Sequence, residues 1–277
     1  MSFLYKSVAV EIAPYLTSTL KFEQICAFQP FVRWFARLQN SLTSTPISGG
    51  TNSPAPTYYL LKKIDVTDAD FFGKEQTKLG FLKIRATVEN EAGQHLPGIV
   101  LLRGQSVTIL VLIYPEESVT VDGFDDSRAF AVLTVQPRIA GAIMTSVELP
   151  AGMLDPTDTR DSSGGLSFTA QRELKEESGI EIGRHELQPL YTTGGGVYMS
   201  AGLCDEQLQF FYVRKVMPQA EINELQGKFG GASDEAERIT LQVVPFNDLI
   251  STATPDAKTL CAVALYHNLK LLSKYEH

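Results

Sequence analysis

Alternation of apolar and polar residues predicts β-strands through the middle of the chain. Residues 81–89, FLKIRATVE, alternate strictly, as expected for a strand with one buried face. Three later segments are continuously apolar and rich in β-branched residues, which is typical of strands buried on both faces. These segments span residues 99–103, 107–114 and 129–136, and weaker patterns predict further strands at 146–149, 187–192, 207–216 and 239–244.

Helical periodicity, with apolar residues three and four positions apart, predicts helices between these strands. They cover residues 31–42, 167–178, 219–226 and 256 to about 274. Because strands and helices interleave, we expect a mixed α/β core. Residues 43–57 are dense in Ser, Thr, Pro and Gly and predict a linker. We therefore expect an N-terminal extension over 1–57, a β-rich subdomain over 58–103 and a main domain over 104–277.

Composition and charge exclude several classes of protein. The net charge is −8, from 24 Lys and Arg against 32 Asp and Glu, which argues against a broad nucleic-acid interface. The sequence contains no apolar run of about 18 residues, so we expect no membrane span. The three cysteines, Cys26, Cys204 and Cys261, are far apart and lack metal-ligand spacing, as expected of thiols in a reducing compartment. We expect the protein to act in the cytoplasm, with an organellar presequence left open.

Three glutamates crowd together on the helix that is predicted to start near Ser167 and to end at Gly179. Glu173 lies three and four residues before Glu176 and Glu177, so it shares a helix face with both. Each like-charged pair at this spacing costs about 0.2–0.5 kcal/mol. Acids near a helix C-terminus also face the negative end of the helix dipole. A solvated acidic surface is the ordinary interpretation of such a run. A divalent cation such as Mg²⁺ or Mn²⁺ would remove both costs.

The surrounding residues favour the cation. The segment Arg172-Glu173-Leu174-Lys175-Glu176-Glu177-Ser178-Gly179-Ile180 resembles the helical half of the Nudix box, Arg-Glu-apolar-x-Glu-Glu-x-Gly-apolar, at every position. The first half of the box departs from that pattern. Asp158 stands where the family has a Glu six residues after Gly152, and Arg172 follows six residues later than the pattern requires. The additional residues belong to the loop-like stretch 155–165, which is rich in Asp, Thr, Ser and Gly.

Segments outside the box extend the resemblance to about residues 70–272. FGKEQTKLGFLKIRATV, LPGIVLLRG, VLTVQPR, VELPAGMLD, LQGKFGG and TPDAKTL are similar to plant-type ADP-sugar diphosphatases of the Nudix family. The resemblance implies a Nudix α/β/α sandwich with a mixed sheet, preceded by a smaller β-rich N-terminal domain. It also implies Mg²⁺- or Mn²⁺-dependent hydrolysis of ADP-glucose or ADP-ribose to AMP and a sugar phosphate.

The same resemblance assigns roles to individual residues. Glu173, Glu176 and Glu177, with the carbonyl of Ala151, would bind the metal, and Arg172 would orient an acid, with Glu148 as a candidate partner. The substrate would contact Arg138, Arg103, Glu206 and Glu148. The general base would be Glu237, with Glu235 as the second candidate, because both precede the strand at 239–244.

Two alternatives stay open at this point. The box is shared by hydrolases of UDP-sugars, NADH and coenzyme A, and only the flanking resemblance favours ADP-sugars. The altered first half of the box also allows a Nudix-fold module that binds a nucleotide without cleaving it. Because enzymes of this group act as homodimers, the resemblance further implies a dimer that uses the N-terminal strands.

Overall fold

A computed structural model describes residues 2–44, 57–73, 75, 77–120, 123–154, 165–183, 185–190, 196–231, 238–253 and 255–273. Its contacts divide the chain into two units. The first comprises Met1–Gln105 with Ser200–Glu206, and the second comprises Ser106–Met199 with Gln207–His277. The predicted linker over 43–57 lies mostly outside the described residues.

Over its described residues, the first unit consists of a six-stranded sheet and two α-helices. Its elements are β1 Ser2–Tyr5, β2 Val8–Ile12, α1 Phe22–Ala27, α2 Gln29–Ser44, β3 Leu60–Phe72, β4 Lys78–Glu89, β5 His95–Leu96 and β6 Ile99–Leu102. The strands run in the order β1-β2-β3-β4, with β5 and β6 both paired to β4. The sheet is mixed, because β2 and β3 are parallel and the other pairs are antiparallel.

Sequence patterns did not predict β1, β2 or α1. The turn between the two strands consists of Lys6 and Ser7, whose φ angles are 46° and 71°. Turns with positive φ normally contain Gly, Asn or Asp, so this hairpin lacks the usual sequence indication. The helix predicted over 31–42 is found as α2, which buries Phe31 and Phe35 in the core of this unit.

The second unit contains a nine-stranded sheet and the remaining helices. Its elements are β7 Gln105–Pro115, β8 Val119–Thr120, β9 Gly123–Phe124, β10 Phe130–Arg138, β11 Ile143–Glu148, β12 Ala151–Met153, α3 Leu166–Ser178, β13 Gln188–Pro189, β14 Val197–Tyr198, β15 Gln207–Met217, α4 Gln219–Leu225, β16 Phe229–Gly230, β17 Ile239–Pro245, α5 Leu249–Thr252 and α6 Ala257–Ser273. The main strand order is β13-β15-β7-β10-β17-β16, while β8 and β9 form a separate hairpin.

The two faces of β7 show how this sheet is covered. Successive side chains of a strand point to opposite faces. Val107, Ile109, Val111 and Ile113 share a core with α3 and α4, whereas Leu110, Leu112 and Tyr114 share a core with α6. The sheet therefore lies between two helical layers, and the predicted α/β/α sandwich is confirmed. No helix of the described residues is long and apolar enough to cross a membrane.

Several element boundaries differ from the prediction by a few residues, and two of them need an explanation. Helix α3 begins at Leu166, with Gly165 rather than Ser167 as its N-cap, because Gly165 adopts a φ of 81° and its carbonyl accepts from the amide of Thr169 at 2.9 Å. Of the strand predicted over 187–192, the structure shows only Gln188–Pro189. The last two residues of the predicted strand belong to the stretch 191–195, which lies outside the described residues.

Candidate active site

Helix α3 presents the three candidate metal ligands next to the strand β12. Ala170 and Leu174 are fully buried and fix the apolar side of the helix against the sheet. Gly179 ends the helix in the left-handed conformation, with a φ of 73° and a 2.8 Å hydrogen bond from its amide to the carbonyl of Lys175. The helix boundary that the sequence predicted at Gly179 is confirmed.

Glu177 is the most enclosed of the three acids. Its relative exposure is 4%, and its Oε2 accepts a hydrogen bond from the backbone amide of Ala151 at 3.1 Å. A solvated acidic face was the ordinary interpretation of this run, and for Glu177 it is wrong. The carboxylate is buried because β12 passes directly over this end of α3.

Glu173 lies against the backbone of Gly152. A Cβ atom built on Gly152 would stand 1.8 Å from Cδ of Glu173 and 2.1 Å from its Oε1. Only glycine allows this approach, since no real Cβ tolerates such distances. The box glycine therefore has a steric role here, which is to admit the Glu173 carboxylate.

Arg172 forms ion pairs within α3 itself. Its Nη2 lies 2.9 Å from Oε1 of Glu173, and its Nη1 lies 2.8 Å from Oε2 of Glu176. Residues four apart share a helix face, so Glu176 is within reach of the guanidinium. The prediction that Arg172 pairs with Glu148 is wrong, because Glu148 has two other cationic partners.

Those partners are Arg138 and Lys258. Arg138 donates from Nε and Nη2 to the two oxygens of Glu148, at 2.6 and 3.2 Å, and Lys258 contacts Oε2 of the same carboxylate. Burial alone would raise the pKa of Glu148, but these two cations outweigh it and hold the pKa below its ordinary value. Burial likewise opposes the charge of Arg138, but the bond to Glu148 raises the pKa of its guanidinium.

Lys258 is a site residue that the sequence analysis missed. It stands in the TPDAKTL segment, whose resemblance was noticed without assigning this residue a role. Only the fold brings it to Glu148, which is 110 positions away in the sequence.

Arg103 and Glu206, two further substrate-binding candidates, lie together in the first unit. Nη1 of Arg103 is 3.5 Å from Oε2 of Glu206. The neighbouring Asp205 is buried, and its Oδ1 accepts from the backbone amides of Arg103 and Gly104 at 2.7 and 3.1 Å. Burial raises the pKa of Asp205 even though these amide bonds oppose the shift. The structure thus brings these two predicted residues together.

The remaining candidates lie outside the described residues. These are Glu237 and Glu235, proposed as the general base, and the inserted stretch around Asp158.

The donor atoms on α3 suit a hard divalent cation. Carboxylate and carbonyl oxygens are the ligands that Mg²⁺ and Mn²⁺ prefer. Over the part of the chain that the structure describes, no three acidic, histidine or cysteine side chains already converge as a metal site. Because Arg172 bridges Glu173 and Glu176, an ion would compete with its guanidinium for these two carboxylates. The residues nevertheless fit such an ion in their chemistry.

Three comparisons with known proteins were made. No family model matches the chain. Nudix hydrolase 14, chloroplastic, of Arabidopsis thaliana is 37% identical over 213 residues, which cover 74% of this chain and 62% of the relative. The chain therefore spans about three fifths of the length of that relative. A solved structure described as the crystal structure of ADP compounds hydrolase matches with a TM-score of 0.46 and 16% identity, over 76% of this chain and 95% of that chain. The chain is thus similar to a Nudix hydrolase over 213 residues, and its helix motif resembles the same family.

Proposed function

We propose that the protein hydrolyses the diphosphate bond of ADP-sugars, ADP-glucose or ADP-ribose, in a reaction that depends on Mg²⁺ or Mn²⁺. Water adds across the bridging P–O bond, and the products are AMP and a sugar phosphate. The observation that carries the proposal is the placement of Glu173 and Glu177 of α3 against the backbone of Ala151 and Gly152.

Glu173, Glu176, Glu177 and the carbonyl of Ala151 would hold the divalent ion. When bound, such an ion neutralises phosphate charge and lowers the pKa of a coordinated water. Arg172 would then release at least one carboxylate and hold another in place. Glu237, with Glu235 as the second candidate, is proposed as the general base that accepts the proton of the attacking water.

Arg138 is proposed to bind the phosphate groups of the substrate. Its guanidinium uses Nε and Nη2 to bind Glu148, and its side chain is 44% exposed, so the Nη1 edge is left for an anionic oxygen. Arg103 and Glu206 are proposed to contact the rest of the substrate.

The substrate class rests on the flanking sequence segments, which resemble those of ADP-sugar diphosphatases. Substrates with other nucleotides, such as UDP-sugars, NADH and coenzyme A, remain the competing class, because the box does not distinguish among them.

The decisive experiment is AMP release from ADP-glucose and ADP-ribose, measured with Mg²⁺, with Mn²⁺ and with EDTA, alongside UDP-glucose, NADH and coenzyme A. We expect turnover of an ADP-sugar that EDTA abolishes. Folded protein that turns over neither ADP-sugar would disprove the proposal, and turnover of UDP-glucose, NADH or coenzyme A alone would indicate the competing substrate class. Tight, metal-dependent binding of ADP-ribose without cleavage would instead indicate a nucleotide-binding module.

We also propose that the protein is a homodimer that acts in the cytoplasm or, as the name of the relative says of that protein, in the chloroplast. The first unit exposes large apolar side chains along its sheet, including Leu4, Leu60 and Ile99. Light scattering tests the dimer, and a monomer at micromolar concentration would contradict it.

A further inference from the structure

The first turn of α6 holds the strand that leads into the candidate site. Lys258 lies there, with a side chain that is only 12% exposed. Its ammonium group contacts Oε2 of Glu148 and lies 3.1 Å from Oδ2 of Asp256. A lysine is seldom this enclosed unless its charge is paired. The pairing therefore accounts for its burial.

Thr259, the next residue of α6, holds the backbone at the adjacent position. Its hydroxyl accepts a hydrogen bond from the amide of Leu149 at 3.3 Å and donates to Oδ2 of Asp256 at 2.9 Å. The same Asp256 oxygen accepts from the amide of Thr259 at 3.2 Å, which caps the helix. The side chain of Glu148 and the backbone of Leu149 are thus both held by one helical turn.

The next two residues, Pro150 and Ala151, are held by β7 and α3. The carbonyl of Pro150 accepts from the amide of Ile109 and the hydroxyl of Thr108, both at 3.0 Å. The amide of Ala151 donates to Glu177. Every residue from Glu148 to Ala151 therefore has a fixed partner, and α6 supplies the partners at the end where Arg138 binds.

We propose that Lys258 is a positioning residue of the hydrolase, which acts through Glu148 to fix the guanidinium of Arg138. This inference rests on the proposed function. Glu148 is 97% buried and accepts from Arg138 on one side and from Lys258 on the other. With Lys258 in place, the Glu148 carboxylate is held in one orientation, and so is the Arg138 guanidinium that it binds. Without Lys258, Glu148 and Arg138 can turn together.

The test compares Lys258→Met with Lys270→Met. Both replace a lysine of α6 that has an acidic partner, but Lys270 pairs with Asp126, away from Glu148. We expect Lys258→Met to lower kcat/KM for the ADP-sugar by about tenfold to a hundredfold, since a displacement of about 1 Å in a positioned group has that effect. The loss should fall mainly on KM, because Arg138 binds phosphate in the ground state too. Lys270→Met should stay within about twofold of the unchanged protein.

A double variant distinguishes positioning from general loosening of the fold. If Lys258 acts through Arg138, then Lys258→Met has little further effect on kcat/KM in an Arg138→Met background, less than about twofold. Loss of folded protein would lower the apparent kcat and leave KM unchanged. Lys258→Gln, whose amide can still donate to Glu148 without charge, provides the same comparison if the Met variant does not fold.

The outcomes separate the two proposals. If the unchanged protein hydrolyses an ADP-sugar but Lys258→Met matches Lys270→Met, or is additive with Arg138→Met, the positioning role is overturned and the function stands. If the unchanged protein hydrolyses no ADP-sugar, both proposals fall.

Discussion

The surroundings of Glu177 show how a buried carboxylate is compensated by its neighbours and suited to bind a cation. Burial of an ionised group is unfavourable unless hydrogen bonds or opposite charges compensate for it. The amide of Ala151 supplies one such bond, and a divalent ion would supply the opposite charge. At this scale the candidate site is a set of acids arranged around two consecutive backbone positions, Ala151 and Gly152.

Glu177→Gln should abolish most activity and leave the fold intact. The amide oxygen of Gln can still accept from Ala151, so we expect the free energy of unfolding to change by less than about 1 kcal/mol. Loss of a charged metal ligand should lower kcat by more than about a hundredfold. Steady-state kinetics and urea unfolding measure both quantities. Full activity in this variant would contradict the metal-binding role of Glu177.

Gly152→Ala should displace Glu173. The new methyl group would overlap the carboxylate, which must move away from β12. We expect a loss of activity of at least about tenfold, since the displacement exceeds the tolerance of a positioned group. Gly141→Ala is the matched control, because its Cβ would meet only the Ile143 side chain at an ordinary 3.5 Å. Equal activity of the two variants would disprove the steric role of Gly152.

At the scale of elements, β16 completes the end of α3. The amide of Gly231 donates to the carbonyl of Glu176 at 2.9 Å, which satisfies one of the last carbonyls of the helix. Gly230 approaches the helix so closely that a Cβ there would lie 1.7 Å from the carbonyl oxygen of Glu177. Two strands therefore fix the acids of α3. β12 contacts the side chains of Glu173 and Glu177, and β16 with the residue after it contacts the backbone of Glu176 and Glu177.

Gly230→Ala should push β16 away from α3. The clash is with backbone, so the chain must shift, and we expect a loss of about 1–3 kcal/mol in the free energy of unfolding. Activity should fall as well, because Glu176 and Glu177 belong to the displaced turn. Gly202→Ala, whose Cβ meets nothing within 4 Å, is the control for both urea unfolding and turnover. If the two variants unfold at the same urea concentration, β16 does not support α3.

Within the second unit, a polar network ties α6 to the sheet and to the β8–β9 hairpin region. Asp126 accepts from the hydroxyl of Tyr114 at 2.6 Å, from the hydroxyl of Tyr266 at 3.1 Å and from Lys270 at 2.8 Å. The guanidinium of Arg214 donates to Tyr266 at 2.9 Å. The network therefore joins α6 to β7 and β15 near the end of the helix that is away from Lys258.

At the scale of the whole molecule, Asp126 makes stability depend on pH. Burial alone would raise the pKa of Asp126, but hydrogen bonds from Lys270 and Tyr114 hold it below its ordinary value of 3.8. A lowered folded-state pKa stabilises the protein above the unfolded value, and this contribution is lost as the pH falls through the folded value. Asp126→Asn should therefore cost about 1–3 kcal/mol at pH 7 and pH 5, and less below about pH 3.8.

Urea unfolding of both proteins at pH 7, 5 and 3 checks this expectation. Asp248→Asn is the control, because Asp248 is exposed and its side chain makes no capping hydrogen bond to α5. A difference between Asp126→Asn and the unchanged protein that grows as the pH falls would contradict the assignment.

Local patterns determined much of the second unit. The apolar runs of β7 and β10 required strands buried on both faces, and these are the central strands of the sandwich. The spacing of Glu173, Glu176 and Glu177 placed them on one helix, and Gly179 marked where it ends. Periodicity succeeds here because each feature depends on neighbours within a few residues.

Only the tertiary structure shows which charged side chains of distant segments form ion pairs with each other. Sequence spacing allows Arg172 to pair with Glu176 on α3, but it could not show that Glu148 lies between Arg138 and Lys258. It also could not show that Gly152 admits Glu173. Nor could it show the β1–β2 hairpin, whose turn has no glycine. The sequence by itself determined the central strands and helices of the second unit and the acids that they carry, because hydrophobic period and helix ends are local properties. The partners of those acids were decided by the fold, because ion pairs and steric fits depend on distances between segments far apart in the chain.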